Sequence, residues 1–264
     1  MINYKKVEAQ VKEISKVAQL MAVSKTRSLE EIMACYSEGA RLFGENHVQE
    51  IVAKFSKDGK PSRPKDLELH MIGHLQSNKV NKVVPLVDLI ESVDSFSLLE
   101  KINAAAQKNN KVQEVLLEVN TSREEAKSGF KTEQELYDCL EKAKELKNIR
   151  VRGLMTVGPV DCAPEDKDRL TDEAFRYLKG LYDKLKAQNN FDTLSMGMSG
   201  DFKLGLKNGS TEVRIGTAIF GPRDYGQNAI GNTTANAIGN ATANDAALAT
   251  GNATGNATKT GETK

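Results

Sequence analysis

The sequence predicts an α/β fold: a single (β/α)8 TIM barrel with an extra N-terminal helix and a disordered low-complexity C-terminal tail. Eight short apolar runs alternate with segments that are helical or compatible with a helix. Near-continuous apolar runs are typical of parallel strands covered on both sides, and eight such units in about 225 residues match the size of this barrel. A doubly wound open sheet is the alternative. No G-x-G-x-x-G motif follows the first run, which favours the barrel.

The predicted elements follow one another along residues 1–225. The opening segment predicts a helix because its apolar residues recur at helical spacing, namely Val7, Val11, Ile14 and Ala18. The eight strand signals then occupy residues 20–25, 41–46, 67–73, 89–94, 112–120, 151–158, 193–199 and 212–221. The long helical segment before the seventh strand carries one apolar stripe, formed by Leu170, Ala174, Tyr177, Leu181 and Leu185.

The last part of the chain, residues 226–264, differs in composition from the rest. It is rich in Gly, Asn, Ala and Thr, carries two acidic and two basic residues, and contains no aromatic residue. Such a segment cannot bury enough apolar surface to offset the entropy lost on ordering. We therefore predict a barrel domain over 1–225 and a disordered tail over 226–264.

Composition excludes several classes of function. The balance of 37 basic and 36 acidic residues, a net charge of +1, argues against a charge-dominated nucleic-acid or membrane surface. The N-terminus lacks the apolar stretch of a signal peptide. Cys35, Cys139 and Cys162 are scattered without a CxxC motif, so neither a metal site nor a disulfide framework is indicated. We expect a cytoplasmic monomer with reduced thiols.

Lys25 is the first candidate functional residue, because it ends the apolar run "LMAVSK". One interpretation is a strand end whose lysine reaches solvent. The other is a desolvated amine kept for nucleophilic chemistry. In a TIM barrel the active-site groups lie at the carboxyl ends of the strands. The polar residues after the other runs, among them Asn46, therefore gather on the same rim as Lys25.

The loops after the last two strands indicate an anion site. Barrels often bind phosphate there, and the loops read "GMSGD" and "IGT". Glycines let the backbone approach an anion closely, and Ser199 and Thr217 can donate hydroxyl hydrogen bonds. Arg214, two residues before Gly216, is expected to point into the barrel, as an internal salt bridge or as a fixed cationic donor. A lysine together with a phosphate site suits binding of pyridoxal 5′-phosphate (PLP). The same two features are also compatible with a sugar-phosphate aldolase.

Longer motifs carry a family resemblance. The segments "AVSKT", "FGENHVQE", "HMIGHLQSNKV", "VLLEVNTSREEAKSGF", "RGLMTVGP", "LSMGMSGDF" and "GSTEVRIGTAIFGPRDY" are similar to those of the pyridoxal phosphate homeostasis protein family. The likeness covers essentially residues 1–225. It implies a barrel like the N-terminal domain of alanine racemase. It also implies that the protein binds PLP without an established catalytic turnover and takes part in vitamin B6 and amino-acid homeostasis.

The resemblance also assigns residues. It implies that Lys25 holds the cofactor aldehyde as a Schiff base, and that Arg214 faces the pyridine nitrogen. The phosphate binders that it implies are Ser199, Gly216 and Thr217. Asn46 and Met198 line the same pocket in that resemblance. No catalytic residue and no metal ligand is predicted.

Two other functions stay open. A PLP-dependent amino-acid racemase is the alternative, but it would need a second domain that brings a tyrosine acid/base. After residue 225 we expect only the tail, and therefore no second base for proton transfer on both faces. A sugar-phosphate barrel enzyme rests on fold analogy alone. The carrier function implies PLP as ligand and apo PLP-dependent enzymes as recipients.

Overall fold

The computed structural model describes residues 2–222 and shows a closed barrel of eight parallel strands, which confirms the predicted fold. Each strand pairs with the next in the chain, and the last pairs with the first. In chain order the strands are β1 (Gln19–Val23), β2 (Leu42–Glu45), β3 (Glu68–Met71), β4 (Leu89–Val93), β5 (Gln113–Glu118), β6 (Ile149–Met155), β7 (Thr193–Met198) and β8 (Glu212–Ile215). The tail predicted over 226–264 lies outside the described residues.

Helices alternate with the strands. In chain order they are α1 (Tyr4–Ile14), α2 (Leu29–Ser37), α3 (Val48–Phe55), α4 (Val80–Val83), α5 (Phe96–Lys108), α6 (Glu133–Ala143), α7 (Lys167–Asn189), α8 (Phe202–Lys207) and α9 (Thr217–Phe220). A 3₁₀ turn at Ser77–Lys79 precedes α4, and a two-stranded hairpin joins Ser56–Lys57 to Lys60–Pro61. Among the helices within residues 2–222, none combines the length and the apolar character needed to cross a membrane.

Capping explains where two helices begin. In α2, the Ser28 hydroxyl accepts the Glu31 N–H while the Glu31 carboxylate accepts the Ser28 N–H. Thr132 and Glu135 form the same reciprocal pair at the start of α6. Each pair satisfies N–H groups that have no acceptor inside the helix. These helices therefore start at fixed positions on the outside of the barrel.

Three expectations about helices are corrected. Residues 217–220, expected to continue the last strand, form α9 instead, because β8 ends at Ile215. At the N-terminus, α1 ends at Ile14, which is 39% exposed, and Ala18 lies beyond it.

The apolar face of α7 is also placed differently. Tyr177 of the predicted stripe is 40% exposed, whereas Phe175, Leu178 and Tyr182 are buried. The buried face is thus rotated by about 60° around the helix from the predicted stripe.

The apolar core has two layers. The main cluster joins the outward faces of the strands to the helices and includes Val11, Ile32, Phe43 and Val213. Smaller clusters occupy the barrel interior, one around Met21, Val23 and Leu42 and another around Leu89, Leu116 and Met155. Because side chains alternate along a strand, the interior also receives the residues between the outward-facing ones. Many of those residues are polar, and they form the site described next.

Candidate functional site

Lys25 lies just beyond the carboxyl end of β1, on the interior face of the barrel. Met21 and Val23 pack inside the barrel with Leu42 and Ile72. Since alternate residues of a strand share one face, Lys25 continues the face of Met21 and Val23, and it is half-buried. The strand therefore brings the chain to the barrel mouth at Lys25, where it turns.

Asn46 takes the corresponding position after β2. It is half-buried, and its Oδ1 atom is buried without a hydrogen-bond donor among the described residues. Gly73, after β3, packs directly against it, because a Cβ atom at Gly73 would lie 2.3 Å from the Asn46 carbonyl oxygen. A buried acceptor without a donor is unfavourable, so Asn46 presents a polar atom that a ligand could satisfy.

Arg214 lies inside the barrel on β8 and is only 4% exposed. Its guanidinium donates one hydrogen bond to Ser195 Oγ and one to the Thr156 carbonyl oxygen, the latter at 2.7 Å. The Ser195 hydroxyl in turn donates to Glu91 Oε2 at 2.7 Å, and this oxygen lies 3.7 Å from the guanidinium. The internal salt bridge considered for Arg214 is therefore present, and the two hydrogen bonds also hold its guanidinium in place.

Below Arg214 lies a group of buried ionisable side chains, here called the interior cluster, formed by His70, Glu91 and Glu212. His70 Nδ1 is 2.9 Å from Glu91 Oε1 and 3.8 Å from Glu212 Oε2. His70 Nε2 is 3.0 Å from Glu68 Oε1. These donor types also suit a metal ion, and one atom from each member lies within 4.8 Å of the others. Within the cluster, His70 and Glu91 are already joined by a hydrogen bond.

The interior cluster shifts the pKa of each member. Burial alone lowers the pKa of His70, but its hydrogen bonds to Glu68 and Glu91 outweigh that and raise it to about 10. Burial and the repulsion from Glu91 raise the pKa of Glu212 to about 8. Burial also disfavours ionised Glu91, yet the His70 imidazolium outweighs it and lowers the Glu91 pKa. At neutral pH the negative charge therefore rests on Glu91 and a proton on Glu212.

The loops after β7 and β8 meet at the mouth. Ser199 Oγ accepts a hydrogen bond from the Gly216 N–H at 3.3 Å. A Cβ atom at Gly216 would lie 3.2 Å from the Val23 carbonyl oxygen. The backbone of the last loop therefore passes very close to the end of β1. Thr217, the first residue of α9, is exposed beside it.

Met198 reaches the interior through a register shift. Glu212 pairs with Ser195, whereas Arg214 pairs with Met198, so β7 carries one extra residue between these two pairs. Gly197 lies in that stretch with φ +102°, a conformation that favours glycine. Residues opposite each other on neighbouring strands share a face. The shift therefore sets Met198 beside Arg214, where a regular strand would turn it outward.

The structure thus brings the predicted residues to one end of the barrel, and it adds residues that sequence reasoning missed. These are the interior cluster, Ser195 and Glu118. Burial and the nearby Asp94 carboxylate raise the pKa of Glu118 to about 7. The available signal was an ionisable residue in the middle of an apolar strand, as in "ELHM" and "LIESV", because such a residue needs a partner.

The cysteines lie elsewhere. Cys35 and Cys139 are buried free thiols, and burial raises their pKa values to about 12 and about 11. Cys162 is half-buried in a cavity of about 380 Å³ between α7 and the loops after β5 and β6, lined also by Arg123 and Tyr177. None of the residues predicted to bind the cofactor lines that cavity.

Known proteins share this architecture. Residues 2–224 match the family model of the alanine racemase N-terminal domain. A pyridoxal phosphate homeostasis protein of Aquifex aeolicus is 43% identical over 79% of this chain and 88% of its own length. PipY of Synechococcus elongatus, solved with PLP bound, is 32% identical with a TM-score of 0.72, over 83% of this chain and 99% of PipY.

An alanine racemase of Streptomyces coelicolor shares the fold, with a TM-score of 0.62 and 20% identity over 82% of this chain and 58% of that enzyme. At that identity the likeness concerns the barrel alone. The relatives from Aquifex and Synechococcus, in contrast, are similar over almost their whole length. The chain therefore belongs to the alanine racemase N-terminal domain family and, within it, to the pyridoxal phosphate homeostasis proteins.

Proposed function

We propose that this chain binds PLP at the barrel mouth through a Schiff base on Lys25 and acts as a non-catalytic carrier in PLP and amino-acid homeostasis. The observation that carries the proposal is the placement of Lys25. This residue continues the interior face of β1 at the end where the loops after β7 and β8 also meet. The PLP-bound structure of PipY, a relative matched over 99% of its length, supports the choice of ligand.

The residues at the mouth suit such a ligand. Asn46 Oδ1 is a buried acceptor that finds no donor within residues 2–222. Ser199 and Thr217 supply hydroxyl groups for a phosphate, and the absence of a side chain at Gly216 lets the last loop pass close to the Val23 carbonyl oxygen. The Ser199–Gly216 hydrogen bond holds the two loops together. When bound, PLP would supply an aldehyde carbon to which the lysine amine adds with loss of water.

Arg214 supports the carrier function over the racemase. Its hydrogen bonds to Ser195 and Thr156 and its ion pair with Glu91 hold the guanidinium in one position. A guanidinium is donor-only and stays protonated, so it disfavours protonation of a pyridine nitrogen that faces it. A ring that stays unprotonated withdraws electrons less strongly, which restrains the carbanion chemistry of a racemase.

The test is spectroscopic. PLP is added to the purified chain, the visible absorbance of the lysine adduct is recorded, and borohydride reduction followed by peptide mass spectrometry identifies the modified lysine. We expect the adduct on Lys25 and its loss in Lys25→Ala. The matched control is Lys108→Ala, at an exposed position on α5, which should keep the adduct. A wild-type chain that cannot be loaded would overturn the proposal.

Carrier and racemase are separated by turnover. Amino-acid racemisation is measured on the loaded chain and expressed per bound PLP. The carrier function predicts no sustained turnover. Turnover that persists in the loaded wild type and is lost in Lys25→Ala would favour the racemase instead.

A further inference from the structure

Lys25 lies in a tight turn. The Arg27 N–H donates to the Ser24 carbonyl oxygen at 3.1 Å, so Lys25 and Thr26 are the two central residues of a four-residue turn. Thr26 has φ +65°. A positive φ at this position is the feature of a type II turn, which usually carries glycine there. The direction in which Lys25 leaves β1 therefore depends on a turn that its sequence does not favour.

The conformation of Thr26 needs an external cause. For a residue with a side chain, the left-handed region is disfavoured roughly tenfold, and a β-branched residue is a clear outlier there. Such conformations persist where surrounding contacts impose them, and they concentrate at functional sites. The contacts that impose this one can be identified.

Two side chains from one face of α3 hold the turn. Glu50 Oε2 accepts the Thr26 N–H at 2.7 Å. Lys54 Nζ donates to the Ser24 carbonyl oxygen at 3.0 Å, and also to Glu50 Oε2 at 2.6 Å. Glu50 and Lys54 are four residues apart, which places them on the same side of the helix. The backbone is therefore tied to α3 on both sides of Lys25.

A buried carboxylate completes this network. Glu45 Oε1 accepts the Ser24 hydroxyl at 2.7 Å and the Lys54 ammonium at 2.9 Å. The side chains of Glu45, Lys54 and Glu50 are 0%, 12% and 22% exposed. Solvent screens hydrogen bonds between charged groups much less at such burial. The Glu45–Lys54 part of the network is therefore shielded from solvent, whereas the Thr26–Glu50 hydrogen bond that it supports lies at the exposed end.

We propose that Glu50 and Lys54 are positioning residues, which impose the left-handed turn at Thr26 and thereby direct Lys25 into the barrel mouth. The inference rests on the proposed function, because it concerns the lysine that would hold PLP. Neither side chain needs to touch the ligand. They act by raising the fraction of molecules in which the amine is correctly aimed, and apparent affinity scales with that fraction.

The test is a rescue experiment. Glu50→Ala removes the acceptor of the Thr26 N–H, and we expect the apparent affinity for PLP, from the adduct absorbance, to fall about tenfold. Glycine adopts a positive φ without penalty, so Thr26→Gly in the Glu50→Ala background should restore most of that affinity. A general loss of stability would not be repaired by a glycine. Unchanged affinity in Glu50→Ala, or no recovery in the double variant, would overturn the inference.

Two further measurements keep the outcomes distinct. Asp183→Ala removes a comparable i,i+4 ion pair, with Lys179 on the exposed face of α7, and should leave the affinity unchanged. Hydrogen exchange at the Thr26 amide needs no PLP, and Glu50→Ala should accelerate it at least about tenfold. If the wild type forms no adduct, the proposed function fails, but this exchange still tests whether Glu50 holds the turn at Thr26. Equal exchange rates in wild type and variant would then reject that role of Glu50.

Discussion

The pH dependence of folding tests the interior cluster. His70 is 2% exposed, and its hydrogen bonds to Glu68 and Glu91 outweigh burial and raise its pKa to about 10. In the unfolded chain a histidine titrates near pH 6.5. The folded protein therefore keeps a proton that the unfolded chain has already released. The stabilisation is complete below about pH 6.5 and is lost as the pH rises towards about 10.

The magnitude follows from one proton. Between about pH 8 and about pH 9 the two states differ by nearly one bound proton at His70, which lowers the free energy of unfolding by about 1.4 kcal/mol per pH unit. Glu118 and Glu212 act in the same direction, but their raised pKa values of about 7 and about 8 confine most of their effect to lower pH. The Cys35 and Cys139 thiols, with pKa values raised to about 12 and about 11, begin to add to the slope between these pH values, because an unfolded thiol titrates at about pH 8.5. Their contribution is common to the wild type and the His70→Gln variant.

The assay is urea denaturation followed by circular dichroism, because the chain contains no tryptophan. It is run at both pH values on the wild type and on His70→Gln, which keeps a polar side chain but removes the titrating group. We expect the wild type to lose about 1 kcal/mol more than the variant between the two pH values. Equal losses in the two proteins would refute the assignment of a charged, buried His70.

Three further outcomes are expected. Ser199→Ala combined with Thr217→Val should weaken PLP retention at least about tenfold, because each lost hydrogen bond to a charged group contributes roughly 1.5–3 kcal/mol; an unchanged dissociation rate would count against the phosphate site. Gly73→Ala should lower the free energy of unfolding by about 1–3 kcal/mol, since the new methyl group meets the Asn46 backbone; urea denaturation with Gly200→Ala as a comparison, where a new methyl group meets no atom within 4 Å, separates this clash from the general cost of replacing glycine. Removing residues 226–264 should leave the melting temperature and PLP binding unchanged, and a fall of several degrees would show that they support the barrel.

The barrel could be predicted from the sequence because strands of a parallel sheet are buried on both faces and therefore appear as continuous apolar runs. The eight apolar runs located the strands, and all eight runs extend past the carboxyl end of the strand that formed. The last run misled at 217–220, because apolar composition alone does not distinguish a short helix from a strand end. The hairpin at 56–61 is short, polar and contains a proline, so it had no strand pattern to detect.

The site was predicted in outline only. Lys25, Arg214 and Ser199 follow from their positions at strand ends, but how they are held depends on contacts between distant segments. The support of Lys25 by Glu50 and Lys54 and the left-handed Thr26 have no local signature, because threonine normally avoids that conformation. The register shift that turns Met198 inward is visible only once β7 and β8 are paired.

The interior cluster also constrains how this protein can vary. Replacing Glu91 alone would remove the counter-charge of Arg214 and leave Glu68 as the hydrogen-bond partner of His70. Replacing Arg214 alone would remove the buried donor to Ser195 and to the Thr156 carbonyl oxygen. Each single substitution should lower the free energy of unfolding strongly, and by less when the partner residue is replaced as well. Double substitutions should therefore depart strongly from additivity. Substitutions in the centre of the barrel are therefore tolerated only in combinations that compensate for one another. The aliphatic layer between strands and helices can instead change one residue at a time.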